Sequence, residues 1–239
     1  MSNIYVMGDI HGMATSFHSR VYFCIDDPQP DDAIIVCGDA GLEYGNYISG
    51  SLKKEMKRFP GTIYIMRGNH DTRYWRDHPD WVQENNLLYQ KKYDNIKYIK
   101  DEGGLYNIAG NNILFIPGAY SIDKDYRLSR GACYEWEEQL TWAEQDNIIN
   151  ICNNNNIDYI ISHTCPLRLQ KYFKDLFLSF IDQSTVDNSM EKFLDEIDFI
   201  LQNDFKHWYF GHYHADRNME QKYTMLYEEI VKLGESFEW

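Results

Sequence analysis

The sequence predicts an α/β fold, and two observations lead to that prediction. Short apolar runs that suit buried strands alternate with segments that suit helices, which is typical of parallel βαβ units. The first three runs each end in a glycine and a polar residue: Gly8-Asp9, Gly38-Asp39 and Gly68-Asn69. Because ligands collect outside the carboxyl ends of strands in open α/β sheets, we expect a functional site at this edge.

The first part of the chain follows this alternation. Apolar strands are predicted at residues 4–8, 33–37 and 62–66, and helices at residues 13–24 and 47–58. Residues 72–84 have helical character that Pro79 interrupts, and residues 88–116 contain several short strand candidates.

The second part continues with strands at residues 159–162 and 207–210 and with helices at residues 135–152 and 185–202. Ser184 and Asp187 resemble a capping box for the second of these helices. The tail, residues 223–233, fits either a hairpin or a short helix. No internal repeat or linker is evident, so residues 1–239 are interpreted as a single domain.

The composition limits the classes of protein to which the chain can belong. The chain has 44% hydrophobic and 25% charged residues, which is ordinary for a globular protein. Its net charge of -14 opposes non-specific binding to nucleic acid, and no apolar run is long enough for a membrane helix. Five cysteines without a close pair favour reduced thiols, and the amino terminus has no cleavable apolar stretch. We therefore expect a cytoplasmic location and no membrane partner.

The ends of the predicted strands collect residues that can bind metal ions. They are Asp9, His11, Asp39, Asn69, His70, His163, His212 and His214. Each of these alone also fits an ordinary turn, but their repeated position after apolar runs is not expected by chance. Carboxylate, imidazole and amide ligands without cysteine suit borderline and hard divalent ions. We expect two divalent ions, with Mn²⁺ first and Fe²⁺ or Zn²⁺ as alternatives.

These motifs resemble those of the calcineurin-like metallophosphoesterases. The resemblance rests on five ordered elements between residues 8 and 214: Gly8-Asp9-Ile10-His11-Gly12, Gly38-Asp39, Gly68-Asn69-His70-Asp71, His163 and Gly211-His212-Tyr213-His214. It implies two β-sheets packed as a sandwich and flanked by helices, with a binuclear metal centre at the strand ends.

The resemblance also implies a role for each motif residue. One ion would be held by Asp9, His11 and His214. The other would be held by Asn69, His163 and His212. Asp39 would bridge the two ions. His70 would stay off the metals and would either protonate the leaving oxygen or stabilise charge in the transition state.

The sequence departs from the protein-phosphatase branch of that family. Leu42 and Glu43 stand where that branch has an acidic residue and an arginine, so the usual acidic partner of His70 is missing from its place. Glu43 or Asp71 could substitute for it. This departure argues against a protein serine/threonine phosphatase in particular.

Four basic residues and one aromatic segment complete the candidate site. Arg67 fits either a role at the site or a pairing with a structural carboxylate. Lys124, Arg127 and Arg130 lie on a strand-end loop and are candidates for binding substrate phosphate, although each also fits an exposed charge. Residues 166–181 fit a lid over the substrate, a short helix packed on the core, or a self-association surface.

The function that the resemblance implies is hydrolysis of a phosphate ester. A hydroxide bridging two divalent ions would attack a phosphomonoester or phosphodiester, with a small molecule or a phosphoprotein as substrate. The alternative is a catalytically silent relative that uses the fold for binding or as a scaffold. All seven ligand positions carry competent residues, which favours the enzyme.

Overall fold

Two mixed β-sheets form the centre of the protein, and helices cover their outer faces. The computed structural model describes residues 2–45, 47–131, 134–173 and 185–237. The α/β class and the two sheets flanked by helices are as predicted. Within the described residues, no helix is both long and apolar enough to span a membrane.

Among the described residues the first sheet has seven strands, and β1, β2, β5 and β8 run parallel. In spatial order the seven strands are β15 (Ile230–Lys232), β1 (Ile4–Met7), β2 (Ala33–Val36), β5 (Thr62–Ile65), β8 (Ile96–Tyr98), β7 (Leu87–Tyr89) and β6 (Val82–Glu84). Met7 pairs with Val36, and Val36 pairs with Ile65. The loops that follow these three strands therefore leave the sheet side by side.

The second sheet has six strands in the described parts of the chain. In spatial order they are β13 (Arg217–Met219), β14 (Tyr223–Met225), β12 (His207–Phe210), β11 (Tyr159–Ser162), β10 (Asn111–Ile116) and β9 (Gly104–Ile108). The strands from β14 to β10 run parallel, so their carboxyl ends also share one edge. A separate short pairing joins β3 (Glu43–Tyr44) to β4 (Tyr47–Ile48).

Six α-helices lie among the described residues. They are α1 (Ala14–Cys24), α2 (Gly50–Met56), α3 (Tyr74–Asp77), α4 (Lys124–Ser129), α5 (Trp142–Asn154) and α6 (Ser189–Leu201), with 3₁₀ turns at Lys91–Tyr93 and Leu167–Tyr172. The core between the sheets contains Val6, Ile35, Phe115, Ile161 and Tyr209, all fully buried. This apolar layer accounts for the continuous apolar runs in the sequence.

Several helix boundaries differ from the predictions. Helix α5 begins at Trp142 rather than near residue 135, because Thr141 and Glu144 form a reciprocal capping box. Helix α6 begins at Ser189, where the Asp187 carboxylate accepts a hydrogen bond from the main-chain N–H of Ser189. The predicted capping residue Ser184 lies outside the described residues.

Three shorter segments also differ. Residues 47–48 form strand β4, and helix α2 starts only after the Ser49 cap. Residues 82–84, expected to be helical, form strand β6. In the tail, β14 and β15 belong to different sheets, so the segment is neither a hairpin nor a helix.

Candidate metal centre

The loops after five strands bring the predicted ligands into one cleft. Asp9 and His11 follow β1, and Asp39 follows β2. The remaining ligands follow β5, β11 and β12: Asn69, His163, His212 and His214. Register places the ends of these strands at neighbouring edges of the two sheets, which is why residues far apart in sequence meet.

The first group consists of Asp9, His11 and His214. The Nε2 atoms of the two histidines are 2.8 Å apart, and each lies within 3.5 Å of Asp9 Oδ2. Asp9 Oδ2 is buried and has no hydrogen-bond partner among the described residues. Two imidazole nitrogens therefore converge on a buried carboxylate oxygen that lacks a hydrogen-bond donor, an arrangement that a cation would satisfy.

The second group is built around Asn69. Its Oδ1 atom lies 2.7 Å from His163 Nε2 and 3.1 Å from His212 Nδ1. His163 Nε2 is also 3.5 Å from Asp39 Oδ2. The other ring nitrogen, Nδ1, lies 2.8 Å from the carbonyl oxygen of Cys37. A carbonyl only accepts, so Nδ1 carries a proton, and Nε2 is the nitrogen that would bind a cation after losing its own proton.

The two aspartates join these groups. Asp9 Oδ1 accepts from the main-chain N–H of His212 at 3.0 Å, and Asp39 Oδ1 accepts from that of His70 at 2.7 Å. The Oδ2 atom of each lies near candidate histidine ligands. Asp9 belongs both to the first group and to a cluster with Asp39 and His163, whereas the family resemblance assigns the shared carboxylate to Asp39.

The charged groups in the cleft shift one another's pKa values. Burial alone would raise the pKa of Asp9, but the nearby imidazoles of His11 and His214, together with the charge of His163, outweigh it and hold the pKa below its usual range. Burial opposes charge on His163, yet the Asp39 carboxylate raises the pKa of His163 to about 9. Burial and then the charge of His163 lower the pKa of His212 to about 3.

The backbone of the site is strained and tightly packed. Four candidate ligands have a positive φ: His11 (50°), Asp39 (47°), His212 (72°) and His214 (52°). Such conformations are costly for these residues and cluster at functional sites. A Cβ on Gly68 would lie 2.0 Å from Asp39 Oδ1, and one on Gly211 would lie 2.1 Å from Asp9 Oδ1. Glycine is needed there because the carboxylates occupy the space.

His70 lies beside the two groups and contacts Arg127. The Arg127 guanidinium donates to His70 Nδ1 and stacks on Tyr44, with its Cζ 4.6 Å from the ring centre. Because arginine only donates, a neutral His70 must carry its proton on Nε2. Burial lowers the pKa of His70, and Arg127 adds to this effect against the opposing charge of Asp39.

Neither acidic candidate is hydrogen-bonded to His70 among the described residues. The carboxylate of Asp71 accepts from the main-chain N–H groups of Gly68 and Gly41, at 3.0 Å each, and thereby ties two site loops together. The carboxylate of Glu43 binds Lys53 and His78. In this structure Arg127, rather than Glu43 or Asp71, contacts the His70 ring.

The other basic candidates point to different surroundings. Arg67 is buried, and its guanidinium donates to the carbonyl oxygens of Glu138, at 2.6 Å, and Asp101, at 3.4 Å. Lys124 lies beside a cavity of about 270 Å³, 5.1 Å from the ring centre of Tyr134. Arg130 lies 5.5 Å from the ring centre of Tyr126. Of the three predicted phosphate-binding cations, Arg127 alone contacts a motif residue within the described residues.

The aromatic segment is described only in its first half. Residues 167–172 form a 3₁₀ turn, and Leu169 and Phe173 are buried in the core of the second sheet. This half therefore packs on the core, as one of the three interpretations expects. Residues 174–181 lie outside the described residues.

Sequence reasoning missed the residues that support the ligands. Ser121 accepts a hydrogen bond from Asn69, and Glu138 accepts one from Ser121. The ring of Tyr227 stacks on His214 at 4.9 Å, and Arg20 donates to the carbonyl oxygen of Asp9 at 2.7 Å. Ser121 is 52 residues from Asn69, and the other partners lie on other elements, so no local pattern marks them.

Fold and site together define an α/β protein with candidate Asp/His metal sites at its strand ends. A family model described as calcineurin-like phosphoesterase matches residues 2–216. The chain belongs to this family, which confirms the resemblance seen in the motifs. No curated protein matches the chain.

Solved structures show similarity at low sequence identity. A crystal structure of a protein of unknown function from Aquifex aeolicus is 10% identical, covers 98% of this chain and 96% of its own, and has a TM-score of 0.44. A second solved chain is 11% identical, with coverages of 97% and 95% and a TM-score of 0.53. The second likeness concerns the fold alone.

Proposed function

We propose that the protein is a metal-dependent phosphoesterase that hydrolyses a phosphomonoester or a phosphodiester. The observation that carries this proposal is the convergence of the candidate ligands on Asp9 Oδ2, a buried oxygen without a hydrogen-bond partner among the described residues. Leaving such an oxygen unpaired is costly, and a divalent cation would remove that cost. We propose Mn²⁺ first and Fe²⁺ or Zn²⁺ as alternatives, because carboxylate, imidazole and amide ligands suit borderline and hard divalent ions.

The ligands divide between two positions. Asp9, His11 and His214 would hold one ion, and Asn69, His163 and His212 the other, with Asp39 between them. When bound, two such ions supply a hydroxide nucleophile at neutral pH and offset the charge of the phosphate. The main-chain N–H groups of His70 and His212 fix the Oδ1 atoms of the two aspartates, so the Oδ2 atoms are held in place before any ion arrives.

His70 and Arg127 would act on the substrate. With its Nδ1 accepting from Arg127, His70 can offer the Nε2 proton to the leaving oxygen or to a phosphoryl oxygen. The guanidinium of Arg127 has donors left over for the phosphate, since arginine has five N–H groups. A net charge of -14 fits a small substrate or a phosphoprotein better than long nucleic acid.

The cysteines fit the cytoplasmic location that we propose. The structure has free thiols at Cys24, Cys37, Cys152 and Cys165, and the last three are buried. Free thiols are the usual state in a reducing compartment.

A catalytically silent binding protein is the second candidate. A fold kept only for binding would have no reason to keep a complete set of ligands, whereas here every ligand position is filled and the side chains converge. This convergence favours the enzyme. Purified protein that holds divalent metal but hydrolyses no simple aryl phosphate ester would favour the silent relative instead.

The test of the proposal is removal of single ligands. Asp39→Ala and His212→Ala should each lower the bound Mn²⁺ and abolish hydrolysis of an aryl phosphate ester. The matched control is His18→Ala, because His18 is half exposed and bonds Glu55 away from the cleft. Full metal loading and activity in both ligand variants would refute the proposed centre.

A substrate panel then separates the two reactions. Wild-type protein is assayed on an aryl phosphate monoester and on the matching diester, across Mn²⁺, Fe²⁺, Zn²⁺, Ni²⁺ and Mg²⁺. A higher kcat/KM on one ester identifies phosphatase or phosphodiesterase chemistry, and the best ion should be one of the first three. Hydrolysis of both esters by protein treated with chelator would contradict metal dependence.

A further inference from the structure

We propose that Ser121 and Glu138 are positioning residues that fix the side-chain amide of Asn69. Through Asn69 they would set the affinity of the metal position that this residue shares with His163 and His212. The inference rests on the proposed metal centre, and it concerns residues outside the five motifs.

An asparagine ligand has a right and a wrong orientation. Only its Oδ1 atom can bind a cation, because the NH₂ group has no free lone pair and would present its hydrogens. In the structure Oδ1 faces the two histidines, and Nδ2 donates to Ser121 Oγ at 2.9 Å. Asn69 is buried, and the bond to Ser121 is the one that Nδ2 makes among the described residues, so it holds the amide in the orientation that leaves Oδ1 toward the histidines.

Glu138 determines how the Ser121 hydroxyl points. Ser121 Oγ donates its single proton to Glu138 Oε2 at 2.5 Å, and the main-chain N–H of Ser121 donates to Oε1 at 2.9 Å. With its proton engaged, the hydroxyl presents only lone pairs to Asn69. The carboxylate therefore makes Ser121 an obligatory acceptor, and the amide must place its donor there and its oxygen in the cleft.

Glu138 is itself fixed from two sides. Tyr134 donates its phenolic O–H to Oε1 at 2.8 Å. Arg67 donates to the main-chain carbonyl of Glu138 at 2.6 Å, and Arg67 lies two residues before Asn69. The chain of bonds thus starts and ends on the same loop, which leaves Asn69 little freedom to turn. This arrangement also gives Arg67 a role: it fixes the position of Glu138 rather than binding the substrate.

A purely structural network would behave differently. If Ser121 and Glu138 only held the loop of residues 119–131, their loss would lower the melting temperature and weaken both metal positions together. If they orient Asn69, their loss should weaken one position selectively, because Asp9, His11 and His214 make no hydrogen bond to either residue among the described residues.

The experiment is a titration of metal-free protein with Mn²⁺, followed by calorimetry and by EPR. In Ser121→Ala, one of the two binding steps should weaken about ten- to hundredfold, as for other lost partners of metal ligands, and the other should stay unchanged. The EPR signal of the coupled Mn²⁺ pair should then appear only at a higher Mn²⁺ concentration than in wild type. Ser121→Thr, which keeps the hydroxyl, should restore binding.

Two further variants complete the test. Glu138→Gln replaces one acceptor oxygen by a donor and should weaken the same step, even if Ser121→Ala does not fold. Ser129→Ala is the matched control, because Ser129 is exposed and bonds only Tyr126 among the described residues. It should leave both steps unchanged.

The outcomes separate the inference from the function on which it rests. If wild type, Ser121→Ala and Glu138→Gln all show two normal binding steps, the inference is overturned and the proposed function stands. Equal weakening of both steps with a lower melting temperature also overturns it, in favour of a structural network. Wild-type protein that binds no Mn²⁺ overturns both.

Discussion

Replacing Glu191 should make the protein more stable at alkaline pH and leave it unchanged at acid pH. Glu191 lies on α6 and is 4% exposed. Its Oε1 accepts from Thr164 Oγ1 at 2.8 Å, while Oε2 is buried without a partner among the described residues. Burial raises the pKa of Glu191 from 4.5 to about 7 against the opposing hydrogen bond from Thr164, and the charge of Asp187 adds to the rise while His163 opposes it.

The sign follows from proton binding. Between the unfolded pKa of 4.5 and the folded value of about 7, the folded protein holds a proton that the unfolded chain has released, so stability falls as pH rises through this window. Each pKa unit corresponds to ~1.4 kcal/mol, and the loss between about pH 5 and about pH 8 is on the order of 2–3 kcal/mol. Glutamine cannot ionise and removes this loss.

The assay is thermal or urea unfolding of metal-free wild type and Glu191→Gln as a function of pH. We expect near-equal stability at about pH 5 and a melting temperature roughly 5–10 °C higher for the variant at about pH 8. Glu196→Gln, an exposed position on the same helix, is the control and should follow wild type. A difference between Glu191→Gln and wild type that does not grow with pH would refute the reasoning.

Three further predictions concern the site. His70→Ala should keep its metal content but lower kcat by ~10²–10⁴, as expected for loss of an acid-base group. Arg127→Ala should lower kcat/KM by about 10–100-fold, since hydrogen bonds to charged groups contribute ~1.5–3 kcal/mol. Gly68→Ala should lose bound Mn²⁺, and its free energy of unfolding should fall by about 1–3 kcal/mol, because its Cβ would lie 2.0 Å from Asp39 Oδ1. Metal analysis checks the Mn²⁺ content of His70→Ala and Gly68→Ala. Steady-state kinetics check His70→Ala and Arg127→Ala, and unfolding curves check the stability of Gly68→Ala.

Each of these has a contrary outcome. Loss of metal in His70→Ala would make His70 a ligand. Unchanged kinetics on both esters in Arg127→Ala would remove Arg127 from the substrate. Full Mn²⁺ loading in Gly68→Ala would show that Asp39 can move without harm to the centre.

The strand framework could be predicted because β1 and β2 are buried on both faces and β5 on one. The runs that became these three strands are largely apolar, and each leads directly into a motif. Every residue of β1 and β2 is buried, so these segments show no alternation of polar and apolar residues that could complicate their prediction as strands. The candidate ligands could therefore be placed together as residues that follow strand ends, without knowledge of the sheet order.

Helix starts were harder to predict because tertiary contacts decide them. The apolar spacing from Trp136 onward suggested one long helix, yet Trp136 is exposed and the main chain of Glu138 binds Arg67 instead. The signal for the true start was present in Thr141 and Glu144, which form the capping box. A capping box is a more local signal than apolar spacing and marks a helix start more closely.

The support of the ligands could not be predicted from sequence. Ser121 lies 52 residues from Asn69 and 17 from Glu138, and serine on a loop carries no pattern of its own. Asp71 is the opposite case. Its place in a motif suggested that it orients His70, but its carboxylate instead accepts hydrogen bonds from the main-chain N–H groups of Gly41 and Gly68. Only the folded arrangement distinguishes a carboxylate that orients a side chain from one that fixes a loop.

The most direct measurement is anomalous diffraction at the manganese edge from crystals grown with Mn²⁺. The account predicts two peaks about 3.5–4 Å apart. One should touch Asp9, His11 and His214, and the other Asn69, His163 and His212, with Asp39 next to both. A single peak, or peaks that do not contact these side chains, would contradict the proposal of a binuclear centre.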